Sequence, residues 1–229
     1  MNRLTAPSLL LSLAFALLLS CFASAAEHRV EVLKQPAPAD AISKEIAARL
    51  SPTGIRVVRG TNRTVCQIWL CKDWTVKPGF KPSGEVLYPF TPGQLIGVMQ
   101  LTRKGSDFRD QDIAKGVYTL RYGQQPVDGN HEGTSPTRDF LTLVNAEKDT
   151  SAKPMEIKAL LEASAEAAGS SHPALFGMQK VKITDKARPT IRHQERHDWW
   201  IVTLAGKAVA SGKTSGLSID LVVAGVAPE

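Results

Sequence analysis

Residues 124–139, QQPVDGNHEGTSPTRD, hold the densest set of side chains that could do chemistry. Carboxylates at Asp128 and Glu132, with the imidazole of His131 between them, suit a hard or borderline divalent metal ion. His131 alone could act as a general base near neutral pH. The side chains that we expect to contact a ligand are Asp128, Asn130, His131, Glu132, Arg138 and Asp139.

The same segment also has a purely structural interpretation. Asp128-Gly129 is a turn pair, and Ser135-Pro136 would shape the loop. Arg138 and Asp139 would then fix the base of the loop through hydrogen bonds. Because the spacing matches no metal or catalytic motif, we predict no catalytic residue and no cofactor, with a divalent metal ion as the alternative. A connection this long between two strands is nevertheless typical of a functional loop, which favours a binding site.

His193 and His197 are a second candidate pair, separated by four positions. On a helix they would share one face and could hold zinc, as in the H-E-x-x-H motif. The β-prone residues on either side favour a strand or hairpin instead, and four strand steps would separate the rings by ~13 Å. We therefore expect a polar turn near Glu195 and Arg196 rather than a metal site.

The chain has four tryptophans, Trp69, Trp74, Trp199 and Trp200. Flat aromatic faces can stack on carbohydrate rings, but core packing explains most tryptophans. Trp199 and Trp200 are adjacent, so on a strand they must point to opposite faces. We expect at least one of them to be exposed or to lie at a sheet edge.

Cys66 and Cys71 are the cysteines that follow residue 25. Two cysteines in an oxidising compartment suggest a disulfide. On one continuous strand, however, five steps place them ~16 Å apart on opposite faces, whereas a disulfide needs Cα atoms within about 7 Å. This geometry favours two buried thiols, unless the chain bends between them.

Hydrophobic periodicity predicts a mainly β chain. The expected strands are residues 27–34, 55–59, 64–71, 95–101, 117–122, 140–144, 181–184, 190–194, 199–204, 207–210 and 217–223. Two helices are expected, one from Asp40 to about Leu50 and one from Lys153 to Ala168, where apolar residues recur at helical spacing. Many short strands without regular helix alternation predict an antiparallel β-sandwich or an open barrel with one or two helical insertions.

Residues 1–25 have the features of a secretory signal peptide. Arg3 precedes an apolar run from Leu9 to Leu19, and Ala23-Ser24-Ala25 supplies an A-x-A cleavage site. The run of about 11 residues is too short for the ~20 that a membrane-spanning helix needs. We expect an exported protein, periplasmic or extracellular, whose residues 26–229 form one β-sandwich-like domain. The alternative is an outer-membrane lipoprotein lipidated at Cys21, within a lipobox-like Leu-Leu-Ser-Cys.

Composition and charge are those of an ordinary globular protein. Hydrophobic residues make up 43% and charged residues 22% of the chain, which excludes a disordered or fibrous class. The net charge of +6 is spread along the chain without a block of like charges. No motif supports nucleic-acid binding. The mild positive balance would favour an anionic surface.

The chain resembles a group of uncharacterised exported bacterial proteins. The resemblance is carried by Gly116-Val-Tyr-Thr-Leu-Arg-Tyr122, Gln125-Pro126, Asp128-Gly-Asn-His131 and Arg138-Asp-Phe140, with Ser171-His-Pro-Ala174 further on. It covers most of residues 55–174. No activity is assigned to that group, so the resemblance transfers no catalytic residue. It implies that the loop in residues 124–139 is where the group's function lies.

The sequence thus predicts a non-enzymatic, exported binding or surface-associated module. Its expected partner is a cell-envelope polymer or another exported protein. The alternative is a metal-dependent hydrolase that uses the Asp128–Asp139 loop.

Overall fold

The structure is a computed structural model that describes residues 27–127, 135–181 and 189–228. Within these ranges the chain forms thirteen strands, two α-helices and one 3₁₀ turn. The strands are β1 (His28–Leu33), β2 (Gly54–Arg59), β3 (Arg63–Leu70), β4 (Trp74–Thr75), β5 (Leu95–Leu101), β6 (Gly105–Ser106), β7 (Asp112–Ile113), β8 (Gly116–Gln124), β9 (Asp139–Asn145), β10 (Leu175–Gln179), β11 (Thr190–Gln194), β12 (Trp199–Ala210) and β13 (Lys213–Ala224). The helices are α1 (Lys44–Arg49) and α2 (Ile157–Ala168), and the 3₁₀ turn is Glu195–His197.

Eleven of these strands form one strongly curled sheet, a half-barrel. The order across the sheet is β1-β2-β3-β5-β8-β9-β10-β13-β12-β11, and β4 pairs with β12 beside this path. Neighbouring strands are antiparallel, whereas β4 and β12 are parallel, so the sheet is mixed. The mainly β prediction is confirmed, and of the two predicted architectures the open barrel is the one observed.

The curled sheet encloses one large apolar cluster. It includes Ile55, Val57 and Ile68 from β2 and β3, and Val202 and Leu204 from β12. The residues from β12 follow those from β2 and β3 by about 140 positions in the chain. Several strands are buried on both faces, because loops and helices also cover the outer side. This double cover explains why β5 and β9 are buried and mainly apolar along nearly their whole length instead of alternating.

Both helices lie where the periodicity predicted them, with shorter bounds. α1 is capped by Ser43, whose hydroxyl accepts from the Ile46 amide, so it starts after the expected Asp40. α2 is capped by the Glu156 side chain and ends at Gly169 in the left-handed conformation. Ser164 fixes α2 to the sheet, because its Oγ accepts from the Ala174 amide at 3.0 Å.

The predicted break between strands 199–204 and 207–210 was wrong. The expected turn at Ala205 and Gly206 does not form, and β12 runs unbroken through it because β13 pairs with it along its whole length. β10 has no counterpart among the predicted strands, and the strand expected over residues 181–184 stays a prediction. Residues 182–184 lie outside the described residues.

Candidate functional site

A cleft opens inside the half-barrel, between the strands at one end of the sheet and β12 near the other end. Val32, Ile55 and Ile68 form one wall as a cross-strand row, since Val32 pairs with Ile55 and Ile55 pairs with Ile68. Leu204 and Gly206 of β12 form the opposite wall. The cleft has a volume of about 390 Å³, within the range of small-molecule sites.

The cleft lining is mostly apolar, with a few polar groups. The lining residues are Val32, Ser51, Thr53, Gly54, Ile55, Ile68, Leu70, Cys71, Lys72, Pro189, Leu204, Ala205, Gly206 and Lys207. Two of the fourteen are lysines, and none of them is Asp or Glu. The described residues that line the cleft therefore combine apolar side chains with two lysines and no carboxylate.

Gly54 and Gly206 leave room for two tryptophan rings next to their strands. A Cβ on Gly206 would lie 2.4 Å from the Trp74 ring, and one on Gly54 would lie 2.6 Å from the Trp69 ring. Only glycine lets these buried indoles pack directly behind the cleft walls. The Trp69 Nε1–H donates to the Gln35 carbonyl at 2.9 Å, and the Trp74 Nε1–H donates to the Ile96 carbonyl at 2.9 Å. These hydrogen bonds fix both rings.

Cys71 lines the cleft as a thiol and not as a nucleophile. Burial raises its pKa to about 12, so the reactive thiolate is scarce at neutral pH. Cys66 and Cys71 are both free and buried, in agreement with the strand geometry that disfavoured a disulfide. Cys71 therefore contributes apolar surface to the cleft.

Aromatic stacking holds the two ends of the sheet together beside the cleft. The ring of His28 on β1 lies 4.3 Å from that of Trp200, and the ring of His193 on β11 stacks on the same indole at 4.5 Å. His193 Nε2 also lies 2.7 Å from Asp198 Oδ1. We call His28, Trp200 and His193 the seam. It closes one end of the gap between β1 and β11, and the cleft opens towards Val32 at the other end of β1.

Arg138 and Asp139 lie at the base of the long loop and hold it in place. Asp139 is fully buried; it accepts hydrogen bonds from the Tyr122 hydroxyl and, at 2.7 Å, from the Leu87 amide. Arg138 Nε donates to the Gln125 carbonyl at 2.8 Å. Burial raises the pKa of Asp139, and the hydrogen bond from Tyr122 opposes that rise. These contacts match the structural interpretation of this pair.

The other predicted binding residues, Asp128, Asn130, His131 and Glu132, lie outside the described residues, as does Cys21. Their role in binding or lipidation stays a prediction. Among the described residues, no group of three or more His, Cys, Asp or Glu side chains could hold a metal ion.

His193 and His197 do not share a site. The 3₁₀ turn separates them, as the sequence predicted, and His197 stacks on Trp199 while His193 stacks on Trp200. Trp69, Trp74 and Trp199 are fully buried, so core packing is their role. Trp200 is partly exposed, as the opposite-face argument required, but His193 stacks on its ring and His28 packs against it at a tilt.

The sequence reasoning missed a buried ion pair. Arg121 of β8 is fully buried and binds both carboxylate oxygens of Asp149 through Nε and Nη2. Its remaining donors reach the carbonyls of Gly93, Ser151 and Lys153. All five N–H groups are thus used within the protein, and Arg121 has no donor left for a ligand. A charged residue in the middle of an apolar strand is the signal that could have identified it.

A second, larger groove lies beside the C-terminal end of α2. It has a volume of about 640 Å³ and includes Asp112, Lys148 and Glu166 in its lining. Its lining carries charges of both signs: Lys148 pairs with Glu166, Asp112 pairs with Lys104 at 2.6 Å, and Lys115 and Glu147 line it as well. The cleft, whose lysines face no lining carboxylate, is therefore the stronger candidate site.

Comparison with known proteins gives no relative to this chain. No protein-family model, curated protein or solved structure matches it. The described helices include none that is both long and apolar enough to cross a membrane.

Proposed function

We propose that this chain is a non-enzymatic binding protein that holds a small, mainly apolar molecule in the cleft. The observation that carries the proposal is an open concave space of about 390 Å³ whose lining includes the exposed Val32 and the partly exposed Leu70 and Pro189, together with the buried Ile55, Ile68 and Leu204. Open, apolar and concave surface with a few polar groups is the usual form of a ligand site.

The chemistry of the cleft supports binding rather than catalysis. Its single thiol has a pKa raised to about 12 by burial, and its hydroxyls, on Ser51 and Thr53, have no histidine or carboxylate among the lining residues to activate them. These groups can orient a ligand, but they lack a partner that would make them react.

We further propose that binding takes place outside the cytoplasm. Residues 1–25 support this through their charged start, short apolar run and A-x-A end. N-terminal sequencing of the protein from a bacterial periplasm or culture medium should begin at Ala26. A lipid-modified N-terminus at Cys21 would instead place the protein on a membrane surface, and an intact chain in the cytoplasm would contradict export.

Titration with an uncharged fluorescent probe, N-phenyl-1-naphthylamine, tests the site. We expect saturable fluorescence enhancement with the purified protein. Val32→Trp should reduce it strongly, because Val32 is 59% exposed and lies on the cleft wall, where a larger side chain fills space without disturbing the core. The matched control is Val226→Trp, at a valine that is 43% exposed and does not line the cleft. Equal probe binding by the two variants would contradict the proposed site.

A further inference from the structure

Two lysines in the lining give the cleft a positive charge. Lys72 and Lys207 are both exposed and both line the cleft. Lys72 Nζ donates to the Ala48 carbonyl at 2.9 Å, which uses one of its three N–H groups and leaves two for another acceptor. No carboxylate of a described residue forms a salt bridge with Lys72 or Lys207.

Neutral donors lie in the same cleft. The hydroxyls of Ser51 and Thr53 are 3.2 Å apart and hydrogen-bond to each other. Both lie just before β2, whose Ile55 belongs to the apolar wall. The cleft therefore offers cations and hydroxyls together with aliphatic side chains.

We propose that the cleft binds a free long-chain carboxylate. The alkyl chain lies against the accessible apolar lining, Val32, Leu70 and Pro189, and the carboxylate meets the ammonium groups of Lys72 and Lys207. A ligand with only an alkyl chain would leave two cations without a counter-charge, and a fully polar anion would leave the aliphatic walls uncovered. This inference rests on the proposed function, since it names the ligand class for the same cleft.

Charge complementarity sets the expected size of the effect. Each lysine is exposed, so its interaction with a carboxylate is worth up to about 1 kcal/mol, which is roughly a fivefold change in Kd. Removing both should weaken carboxylate binding by up to about thirtyfold. The binding of an uncharged ester with the same chain should not change.

The test uses cis-parinaric acid, a fluorescent long-chain carboxylate, and its methyl ester. Both are titrated into the wild-type protein and into a variant carrying Lys72→Ala and Lys207→Ala. A second double variant, Lys77→Ala with Lys81→Ala, is the matched control, because these lysines are also exposed but do not line the cleft. Circular dichroism checks that all three proteins have the same fold.

The expected result is weaker acid binding only in the Lys72/Lys207 variant, with ester binding equal in all three proteins. Equal acid binding in the two double variants would overturn the carboxylate inference and leave the proposed apolar site intact. If neither probe binds the wild-type protein, the proposed function fails as well. Co-sedimentation with phosphatidylglycerol vesicles, without binding of the free acid, would also overturn the inference in favour of a membrane surface.

Discussion

Arg121 brings a full positive charge into the interior of the sheet, and Asp149 neutralises it there. Asp149 also accepts a hydrogen bond from the Thr119 hydroxyl. Isolated charges are very costly to bury, whereas a paired and fully hydrogen-bonded charge is tolerated. The pair joins β8 to the segment that leads from β9 to α2, so it fixes a connection that the sheet ladder does not reach.

Replacing Arg121 with leucine should therefore destabilise the protein strongly. The change leaves the Asp149 carboxylate buried without its partner, which costs about 3–5 kcal/mol of unfolding free energy. Urea denaturation followed by circular dichroism measures this loss. Lys148→Ala is the control, because it breaks the exposed Lys148–Glu166 pair and should cause a much smaller loss. Similar losses in both variants would show that burial does not determine how much each ion pair contributes to the unfolding free energy.

Asp139 gives the protein a pH dependence of opposite sign to that of most carboxylates. Because burial raises its pKa in the folded state, the native protein binds this proton more tightly than the unfolded chain does. Its contribution to stability is then fully present below the unfolded pKa of about 3.9 and is lost as pH rises through the higher folded pKa.

Asp139→Asn tests this sign. The wild-type unfolding free energy, minus that of the variant, should fall as pH increases from about 4 and then level off above the folded pKa. Urea midpoints measured across this range give the difference. A difference that rises with pH would mean that the hydrogen bonds from Tyr122 and Leu87 outweigh burial.

At the scale of the elements, the β12–β13 hairpin is the main departure from the sequence-based prediction. Ala205 and Gly206 have the composition of a turn, but the ladder to β13 continues across them. The reason for the glycine is the Trp74 ring packed against it, a contact between residues 132 positions apart. Local patterns located most strands correctly, because periodicity is a local property. They could not locate a glycine whose role depends on a distant side chain.

Gly206→Ala should destabilise the protein by about 1–3 kcal/mol, the usual cost of overpacking. The added Cβ would lie 2.4 Å from a ring that is itself fully buried and cannot move easily. Gly216→Ala on β13 is the matched control, since its Cβ would meet nothing within 4 Å. Urea unfolding monitored by tryptophan fluorescence measures both changes. Equal stability of the two variants would show that the Trp74 packing is adaptable.

For the molecule as a whole, the half-barrel is held at its two ends by the seam. β1 and β11 are the terminal strands of the described sheet order, and they meet through His28, His193 and Trp200. Aromatic pairs contribute about 0.5–1.5 kcal/mol each. The closure of the barrel is therefore weaker than the ladders within it.

Trp200→Ala should loosen this closure without unfolding the sheet. We expect amide hydrogen exchange in β1 and β11 to accelerate by about tenfold or more, the effect of losing two such contacts, while β8 and β9 keep their protection. His197→Ala, which removes a ring stacked on Trp199 instead, should leave β1 unaffected. Unchanged exchange in β1 after the Trp200 substitution would contradict a structural role for the seam.

The candidate site could not have been predicted from the sequence. The cleft combines Val32, Ile55 and Ile68 with Leu204 and Lys207, and only the curl of the sheet brings these groups together. The polar loop, in contrast, can be recognised in the sequence because its polar side chains are contiguous in the chain. Arg138 and Asp139, the part of it that the structure describes, anchor the loop to the sheet through hydrogen bonds.

The weak closure has a consequence for how a guest molecule would reach the interior. A fully closed barrel admits its guest through an end, past the connecting loops. Here the two sheet margins meet through stacked rings instead of a β-ladder, so they can part sideways while every backbone pairing within the sheet persists. A long, flexible guest could then slip in lengthwise along the slit, and its release would be governed by how often the margins separate.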